Sequence, residues 1–361
     1  MQTITINGRF MNQPLSGVQR FAREMTLALD RRIAAGNVPD ALKGANWRLV
    51  VPRETVVDLD LRSIEIDVFG GGPGHLWEQM ALLRWAAGGA LIGFGGSGPV
   101  LHRRQAVVIH DVTIFRHPQS FKRSYRILHK ALGFVLTRTA KIGTVSEFSR
   151  GEIASVFRVP VEGIDVIYNA VDHFATIPPD DSIVERLGLT NGQFFLLVGT
   201  MKPNKNLDFA IRAFEALRDP AQKLVVVGGS APTVFKSTGS ASTANIRYPG
   251  RLTDSEIVAL ERQATAFVFP SLYEGFGIPP LEAMTQNCPV LAADIPSVRE
   301  TSGVAALYFD PARQQELTDA MRRIASDEAL REDLRSKGRE NVARFSWDKS
   351  AARILETIAS L

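Results

Sequence analysis

The feature that most limits the possible folds is an alternation of short apolar runs with helix-length amphipathic segments along the whole chain. The runs in the first half are TITIN (3–7), WRLVV (47–51), IEIDVF (64–69), AVVIH (106–110), KIGTV (141–145) and IDVIY (164–168). Those in the second half are FFLLVGT (194–200), KLVVVGG (223–229), TAFVFP (265–270) and PVLAAD (289–294). Strands that alternate with helices are joined by crossovers, so the pattern predicts an α/β protein with parallel, doubly wound sheets.

The pattern is interrupted at VDHFATIPPDD (171–181), where two prolines and three acids read as an interdomain linker. A chain of 361 residues is also long for a single core. We therefore predict two Rossmann-like domains, 1–175 and 176–345, and a closing helix over 346–361 that packs back on the first domain. Ligands bind at the carboxyl ends of such strands, so a site in the cleft between the two sheets is expected. The Ser/Thr-rich segment 230–245 is expected to form a mobile surface loop.

Composition narrows the class of protein. The apolar content of 45% and charged content of 22% are those of a globular chain. No apolar run is long enough to span a membrane, and MQTITINGRF alternates like a strand rather than a signal sequence. Cys288 is the one cysteine, which excludes an internal disulfide and predicts inert packing in a reducing, cytoplasmic setting. The net charge of +4 suits anionic partners without choosing among phosphates, lipid headgroups and nucleic acid.

Two short motifs are weak evidence for a site. GFGGSG (93–98) matches a dinucleotide fingerprint, but Pro99 and the strand AVVIH follow it where that fingerprint needs a helix. DLD (58–60) has the D-x-D form that holds a divalent cation in some nucleotide-sugar enzymes, yet a solvated polar bend explains it as well. We expect a strand-to-loop connection at the first and no metal site at the second.

The stretch SLYEGFGIPPLEAM (271–284) carries more information. It follows a buried strand that ends at Pro270, so SLYEGFG is expected to be loop and PPLEAM to open a helix. Glu274 then lies in the loop and Glu282 in the first helical turn, both on the lip of one pocket. Glycine amides and the helix dipole suit phosphate oxygens, while the carboxylates suit hydroxyl groups. A sugar joined to a nucleoside diphosphate offers both partners. The alternative is that Glu282 only complements the helix N-terminus and Glu274 is a surface acid.

This stretch resembles the Glu-x7-Glu motif of the retaining GT-B glycosyltransferases, in the large family-four group that includes many bacterial mannosyltransferases. The likeness continues in CPVLAADIPSVRE, YPGRLTDSEI, GTMKPNKNL, GTVSEFSR and VIYNAVD, and in NGRF, LSGVQRFA and VVIHD of the first half. It covers nearly the whole chain and is specific for the superfamily rather than for the sugar. It implies an acceptor-binding first domain and a donor-binding second domain.

The resemblance assigns roles to individual residues. Glu282 would hold the donor ribose, Glu274 the hydroxyls of the transferred sugar, and Lys205 the diphosphate, with no metal and no other cofactor. His110 would lie near the reacting sugar, and the backbone near Arg251 would contact the base. The full donor-binding set is Gly17, Lys202, Lys205, Arg251, Leu252, Glu274, Gly275, Phe276, Gly277, Ile278 and Glu282. The catalytic candidates are His110, Lys205 and Glu274, and the acceptor or sugar candidates are Asp111 and Ser146.

Some of these assignments have alternatives. Many relatives carry an arginine beside the phosphate-binding lysine, where this chain has Asn204; Lys202 is the candidate substitute. The loop before Gly17 matches the family's glycine loop, although Ser16 is also a plausible helix N-cap. Ser146 is expected to cap a helix rather than bind a ligand.

The segment FKRSYRILHKALGFVLTRTA (121–140) predicts an amphipathic helix. Phe121, Tyr125, Leu128, Leu132 and Val135 form its stripe, which is expected to face the core. Its cations are Lys122, Arg123, Arg126, His129 and Lys130, with Arg103, Arg104 and Arg116 nearby in sequence. Together they suggest docking on an anionic membrane surface that presents a lipid-linked acceptor.

The resemblance implies a metal-independent, retaining hexosyltransferase that moves mannose from GDP-mannose to a surface polysaccharide or lipid-linked glycan. It would be cytoplasmic, peripheral on the inner face of the membrane, and without nucleic-acid partners. Three alternatives remain open: a UDP- or dTDP-sugar-dependent enzyme of the same fold, a non-catalytic nucleotide-sugar-binding subunit, and a dinucleotide-dependent oxidoreductase or epimerase.

Overall fold

A computed structural model describes residues 2–72, 74–228 and 245–361. The predicted loop 230–245 lies outside these residues except for Asn245. The chain divides into two compact units. Unit 1 is Met1–Ala170 with Ser346–Leu361, and unit 2 is Val171–Phe345, so the division falls after residue 170 where the sequence suggested 175.

The described part of unit 1 contains a seven-stranded parallel sheet. Its strands are β1 (Thr3–Asn7), β2 (Asn46–Val51), β3 (Glu65–Val68), β4 (Ala90–Gly93), β5 (Gln105–Val108), β6 (Lys141–Thr144) and β7 (Ile164–Val166). Their order is β3-β2-β1-β4-β5-β6-β7. The winding reverses between β1 and β4, and in doubly wound sheets ligands bind beyond the carboxyl ends of the strands at such a switch point.

Helices connect the parallel strands of unit 1 in the described structure. They are α1 (Gly17–Ala34), α2 (Gly74–Trp77), α3 (Leu83–Trp85), α4 (Thr113–Arg116), α5 (Arg123–Thr139) and α6 (Glu147–Phe157). A π-helical turn, Glu78–Leu82, joins α2 to α3. The sequence-based estimate of 17 to about 35 for the first helix is confirmed.

Unit 2 repeats this architecture. Its described strands are β8 (Phe194–Val198), β9 (Lys223–Val227), β10 (Ile246–Gly250), β11 (Ala266–Phe269), β12 (Val290–Ala293) and β13 (Ala306–Phe309). They form a parallel sheet in the order β10-β9-β8-β11-β12-β13, with the switch point between β8 and β11. The sequence did not reveal β10 or β13, which are the two edge strands. Pro249 in β10 is tolerated because an edge strand has one side without a ladder partner.

The described helices of unit 2 are α7 (Ser182–Arg186), α8 (Leu207–Leu217), α9 (Asp254–Gln263), α10 (Ile278–Thr285), α11 (Pro296–Ser302), α12 (Gln314–Ser326) and α13 (Glu328–Val342). The segment 171–181 belongs to this unit rather than forming a free linker. Phe174 is fully buried, and its carbonyl accepts a hydrogen bond from Gln286 Nε2 at 3.1 Å. The aromatic residue in the Pro-rich segment therefore anchors it.

The last helix, α14 (Trp347–Ala359), packs in unit 1. The Trp347 ring meets the Phe21 ring of α1 edge to face at 5.6 Å between centroids. Arg353 Nη2 lies 2.6 Å from the carboxylate of Asp165. The carboxyl-terminal region, which the sequence suggested to be wholly helical, is broken at Asp327 and before Ser346, because each of these side chains caps the helix that follows.

The predicted stripe of α5 is wrong in its first half. The buried residues are Leu132, Gly133 and Leu136, whereas Tyr125 and Leu128 are 44% and 42% exposed. Gly133 allows α5 to meet the Phe157 ring of α6, because a Cβ at 133 would lie 2.3 Å from it. The buried residues of α5 therefore begin at Leu132, beside this contact. Among the described residues, no helix combines the length and hydropathy of a membrane span.

Candidate active site

Two loops meet at the switch point of the unit 2 sheet. The loop after β8 contains a 3-10 turn, Pro203–Lys205, and ends at Asn206, whose left-handed φ of 54° starts α8. The loop after β11 carries Glu274. They are joined by a hydrogen bond from the Leu272 N–H to the Asn204 carbonyl at 2.8 Å. Because β8 and β11 are neighbours, two motifs about seventy residues apart in sequence form one site.

The central contact of this site is an ion pair between Lys205 and Glu274. Lys205 Nζ lies 2.6 Å from Glu274 Oε1, with side chains 24% and 15% exposed. The Lys205 ammonium also lies 6.0 Å from the centre of the Phe269 ring, at the end of β11. A lysine ammonium has three donors, so the pair leaves capacity for phosphate oxygens. Sequence analysis named both residues but not their contact.

Asn204 does not project into solvent in place of the family's arginine. It is buried, and its Nδ2 lies 3.5 Å from the Tyr273 carbonyl, so both its backbone and its side chain face the loop of Glu274. Lys202, the candidate substitute, is exposed and precedes the 3-10 turn in extended conformation. The loop thus holds Lys205 beside Glu274 and Lys202 at the surface.

The glycine segment before α10 has the backbone geometry that its sequence suggested. Gly277 is the N-cap of α10 with φ 92°, and a Cβ there would lie 3.2 Å from Val298. The Phe276 side chain is buried against Phe345, and its carbonyl accepts a hydrogen bond from Thr301 Oγ1 at 3.0 Å. These contacts fix the backbone of Gly275, Gly277 and Ile278 at the start of the helix, where dipole and amides favour an anion.

Glu282 lies one turn further along α10 than predicted. The helix begins at Ile278, so Glu282 is its fifth residue, and no acid occupies the first turn. Proline at the second and third helical positions moved the start upstream, since neither ring needs an amide bond there. Glu282 is half-buried and close enough to Glu261 to act on its charge. Burial, then Glu282 and Asp254, raise the pKa of Glu261 well above its usual value.

Three glycines lie together at the carboxyl ends of the adjacent strands β8, β9 and β10, a feature that the sequence analysis did not predict. The Gly199 N–H donates to the Val227 carbonyl at 3.0 Å, and the Gly228 N–H to the Gly250 carbonyl at 2.7 Å. A Cβ at Gly228 would lie 2.8 Å from the Gly199 carbonyl oxygen, so the strand ends approach closely. Arg251 and Leu252 follow directly, exposed and half-buried respectively. Glycine at the end of each apolar run was the available signal.

His110 is held in unit 1, two residues past the end of β5 rather than in the strand. Its Nε2–H donates to the Phe94 carbonyl at 2.8 Å, and its ring meets Phe21 edge to face at 4.8 Å. Burial lowers the pKa of His110, with the Phe94 carbonyl and Asp111 acting in the opposite direction. The ring is therefore neutral at pH 7 and leaves Nδ1 as an acceptor. Asp111 Oδ1 accepts the Thr113 N–H at 2.7 Å.

The remaining unit 1 candidates are helix starts. Ser146 caps α6 by accepting the Ser149 N–H at 2.9 Å, as expected, and the Ser149 hydroxyl donates to the His110 carbonyl at 3.0 Å. Gly17 is the first residue of α1, and Ser16 is its N-cap. Ser16 thus occupies the N-cap position of the alternative interpretation, but its hydroxyl contacts Gln19 Oε1 and makes no capping hydrogen bond to a backbone amide.

The weak motifs form no further ligand site in the described structure. GFGGSG begins at the last residue of β4, and residues 94–104 then lead to β5 without a helix. In DLD, Asp58 pairs with Arg23 at 2.6 Å, which holds the pKa of that carboxyl below its usual value. In the part of the chain that the structure describes, no three His, Cys, Asp or Glu side chains group as metal ligands. Cys288 is buried, and burial raises its pKa well above the usual value.

Comparisons with known proteins show which family and fold this chain resembles. A family model described as "Glycosyl transferases group 1" matches residues 180–341. The chain is 31% identical over 280 residues to the O-antigen chain mannosyltransferase RfbU of Salmonella typhimurium, covering 73% of this chain and 74% of that protein. It is 30% identical over 263 residues to the O-antigen chain mannosyltransferase B of Escherichia coli, covering 70% and 69%. The crystal structure of WaaG, a glycosyltransferase involved in lipopolysaccharide biosynthesis, is similar in fold, with a TM-score of 0.72 over 99% of both chains at 16% identity.

Proposed function

Because the chain belongs to the group 1 glycosyltransferases, we propose that it transfers mannose from GDP-mannose to a hydroxyl of a bacterial surface glycan or its lipid-linked precursor. The mannose assignment rests on the O-antigen mannosyltransferases among its relatives. Unit 2 binds the donor and unit 1 the acceptor. The observation that carries the proposal is the Lys205–Glu274 pair at the switch point of the unit 2 sheet.

Donor binding follows from the chemistry of the two loops. The Lys205 ammonium binds the diphosphate, while the Glu274 carboxylate accepts hydrogen bonds from sugar hydroxyls. Amides of Gly275, Phe276, Gly277 and Ile278 contact the phosphate or the sugar, and Glu282 binds the ribose. Phosphate oxygens then share the Lys205 ammonium with Glu274, because the ion pair leaves hydrogen-bond donors of the ammonium free.

The reaction is a substitution at the anomeric carbon with retention. The bond from C1 to the phosphate oxygen breaks, the bond from C1 to the acceptor oxygen forms on the same face, and the acceptor proton passes to the departing diphosphate. Lys205 stabilises the charge that grows on this leaving group, the task that a divalent ion performs in metal-dependent enzymes. His110, neutral and oriented by the Phe94 carbonyl, offers Nδ1 to a hydroxyl near the reacting carbon.

Peripheral docking on an anionic membrane supports delivery of a lipid-linked acceptor. The first half of α5 exposes Ile127 at 70% and Leu128 at 42% beside its cations. A cavity of about 620 Å³ is lined by Arg84, Arg103 and Arg104 together with the exposed Leu101 and other residues. Exposed apolar side chains among cations are the composition of an interfacial surface. Arg116 contributes less, because Glu152 pairs with it at 2.7 Å.

A thermal-shift panel of GDP-, UDP-, ADP- and dTDP-sugars tests the proposal, since a ligand that binds only the folded state raises the melting temperature. We expect GDP-mannose to give the largest shift, and transfer to glycan to continue in EDTA. A larger shift with UDP- or dTDP-sugars would transfer the assignment to that donor. Binding without hydrolysis or transfer would identify a non-catalytic subunit, the candidate that Asn204 favours. A shift with nicotinamide dinucleotides alone would identify the oxidoreductase alternative.

A further inference from the structure

A second polar cluster lies at the switch point of the unit 1 sheet. Asn7 ends β1, Arg9 follows it by two residues, and Ser97 lies in the loop after β4. All three converge on one oxygen of the fully buried Glu78. Glu78 Oε1 accepts from Asn7 Nδ2 at 2.7 Å and from Ser97 Oγ at 2.8 Å, and Arg9 Nε lies 3.0 Å away. This position corresponds to that of the Lys205 loop in unit 2.

The other oxygen of Glu78 orients a histidine. His75 Nδ1 lies 2.8 Å from Glu78 Oε2, and since a carboxylate only accepts, Nδ1 carries the proton. Burial raises the pKa of Glu78 and is the largest single effect, but His75, Arg9, Asn7 and Ser97 together outweigh it and hold that pKa below its usual value. Glu78 is therefore an ionised, saturated acceptor that fixes Arg9 and His75.

The position of Glu78 is itself unusual. It begins the π-helical turn Glu78–Leu82, a feature found frequently at functional sites. The preceding Trp77 is buried and donates its Nε1–H to the Phe69 carbonyl at 2.8 Å, which anchors the segment. In the sequence GHLWEQ, this buried acid therefore directly follows a buried tryptophan.

A row of rings extends from His75 to the surface. The His75 and His129 centroids are 5.3 Å apart, those of His129 and Tyr125 are 4.1 Å apart, and Tyr125 stacks on Phe121 at 6.0 Å. Tyr125 is 44% exposed, so part of its side chain is open to solvent. His129 Nε2 has no hydrogen-bond partner in the described structure.

The side chains at the row have their charges compensated or suppressed at three positions. The Arg9 charge is compensated by Glu78, and burial, His75 and Arg9 lower the pKa of His129 to about 4, so that ring is neutral at pH 7. The Tyr125 hydroxyl lies within electrostatic reach of both Arg9 and Asp111, whose effects on it oppose each other. Ring faces with polar edges suit a polyhydroxyl ligand such as a sugar.

We propose that the Glu78 cluster (Arg9, His75, Glu78, Ser97, Tyr125 and His129) binds a sugar unit of the acceptor glycan. The Tyr125 ring lies against the apolar face of that sugar, His75 Nε2 meets one of its hydroxyls, and His129 supports the Tyr125 ring from behind. Glu78 is a positioning residue that acts through His75 and Arg9. The inference rests on the proposed function, because it names the acceptor half of the same reaction.

The test measures glycan binding without any nucleotide. Methyl glycosides of disaccharides that end in mannose, glucose, galactose, rhamnose or N-acetylglucosamine are titrated into the full chain at pH 7, and histidine ring resonances are followed by NMR. We expect at least one disaccharide to shift the resonances of His75 and His129. Tyr125→Ala should weaken this binding roughly fivefold to tenfold, whereas Tyr125→Phe keeps the ring and binds like the wild type. Ser124→Ala, exposed on the same helix, is the control.

Glu78 needs a readout that distinguishes positioning from folding. Glu78→Gln should change the ¹⁵N shift of His75 Nδ1 and weaken disaccharide binding, while the GDP-mannose thermal shift, a property of unit 2, persists. If no disaccharide perturbs either histidine, or if Tyr125→Ala binds as tightly as the wild type, the proposal is wrong. Disaccharide binding without any nucleotide-sugar shift would keep the glycan subsite and contradict the proposed transferase donor, so the two failures are distinguishable.

Discussion

The Lys205 ammonium and the Glu274 carboxylate are 2.6 Å apart, although one follows β8 and the other follows β11. Each side chain holds the other in the site before any ligand binds. The pair therefore preorganises a cation for phosphate and an acceptor for hydroxyl groups, and both are expected to be essential to transfer.

Removing the cation should affect the transition state most. Lys205→Ala is expected to lower kcat by at least roughly tenfold, a loss of about 1.4 kcal/mol or more, because negative charge on the leaving diphosphate is no longer stabilised. Lys205→Arg keeps a positive charge and should retain more activity than Lys205→Ala. Lys202→Ala tests whether the exposed Lys202 also contributes to phosphate binding. Steady-state kinetics with wild-type rates for Lys205→Ala would contradict its role.

Glu282 should act on donor binding through the ribose. Glu282→Ala is expected to reduce turnover by at least roughly tenfold and to diminish the GDP-mannose thermal shift, while Glu282→Gln keeps one acceptor oxygen and falls between. Glu185→Ala, an exposed acid in α7, is the matched control. Equal donor affinity in Glu282→Ala and Glu185→Ala would exclude a ribose contact.

The backbone at Gly277 should not tolerate a side chain. Gly277→Ala places a Cβ at φ 92° and 3.2 Å from Val298, which is expected to cost about 1–3 kcal/mol and to displace the amides before α10. Urea unfolding measures the loss. Gly151→Ala lies in α6 with no atom within 4 Å of the new Cβ, and should stabilise by about 0.5–1 kcal/mol. A neutral Gly277→Ala would show that the segment relaxes freely.

Burial of Glu261 predicts a pH dependence of stability. Its folded pKa is raised above the unfolded value, so its contribution to stability is complete below about pH 4.5 and is lost as pH rises towards the folded pKa. Glu261→Gln removes this loss. The free energy of unfolding of Glu261→Gln, relative to the wild type, should therefore increase between pH 4.5 and pH 8. The amide also changes stability by an amount that does not depend on pH, so the test is the slope of this difference in free energy against pH. A difference that stays constant with pH would contradict the burial argument.

Membrane docking should depend on the cations at the start of α5. The triple variant Lys122→Glu, Arg123→Glu and Lys130→Glu is expected to lose sedimentation with vesicles that contain anionic phospholipid, and wild-type binding should weaken as salt shortens the screening length.

The control for this experiment carries the same change of charge at exposed cations elsewhere, Lys43→Glu, Arg212→Glu and Arg323→Glu. If both triple variants lose binding equally, net charge rather than α5 is responsible. If sedimentation of the wild type with vesicles depends on neither anionic lipid nor salt, the proposed docking surface is wrong.

The sequence predicted the class of fold because strands buried on both faces read as continuous apolar runs. It did not predict that β8 lies beside β11, since strand order is a property of the assembled sheet. The Lys205–Glu274 pair was therefore out of reach even though both residues were named. The α5 stripe failed for a related reason: periodicity shows that Tyr125 and Leu128 share a face with Leu132, but not that the partner surface ends near Gly133. Glu78 was missed because its partners Asn7, Arg9 and Ser97 are distant in sequence.

The return of α14 to unit 1 has a consequence for synthesis. Trp347, Ser350 and Arg353 complete contacts with Phe21, Tyr168 and Asp165, so unit 1 lacks part of its packing until residues 346–361 have been synthesised. Unit 2 has its whole sequence available earlier. We therefore expect unit 2 to fold before the packing of unit 1 is complete. Nascent chains stalled before residue 346 should contain a folded unit 2 and an incompletely packed unit 1.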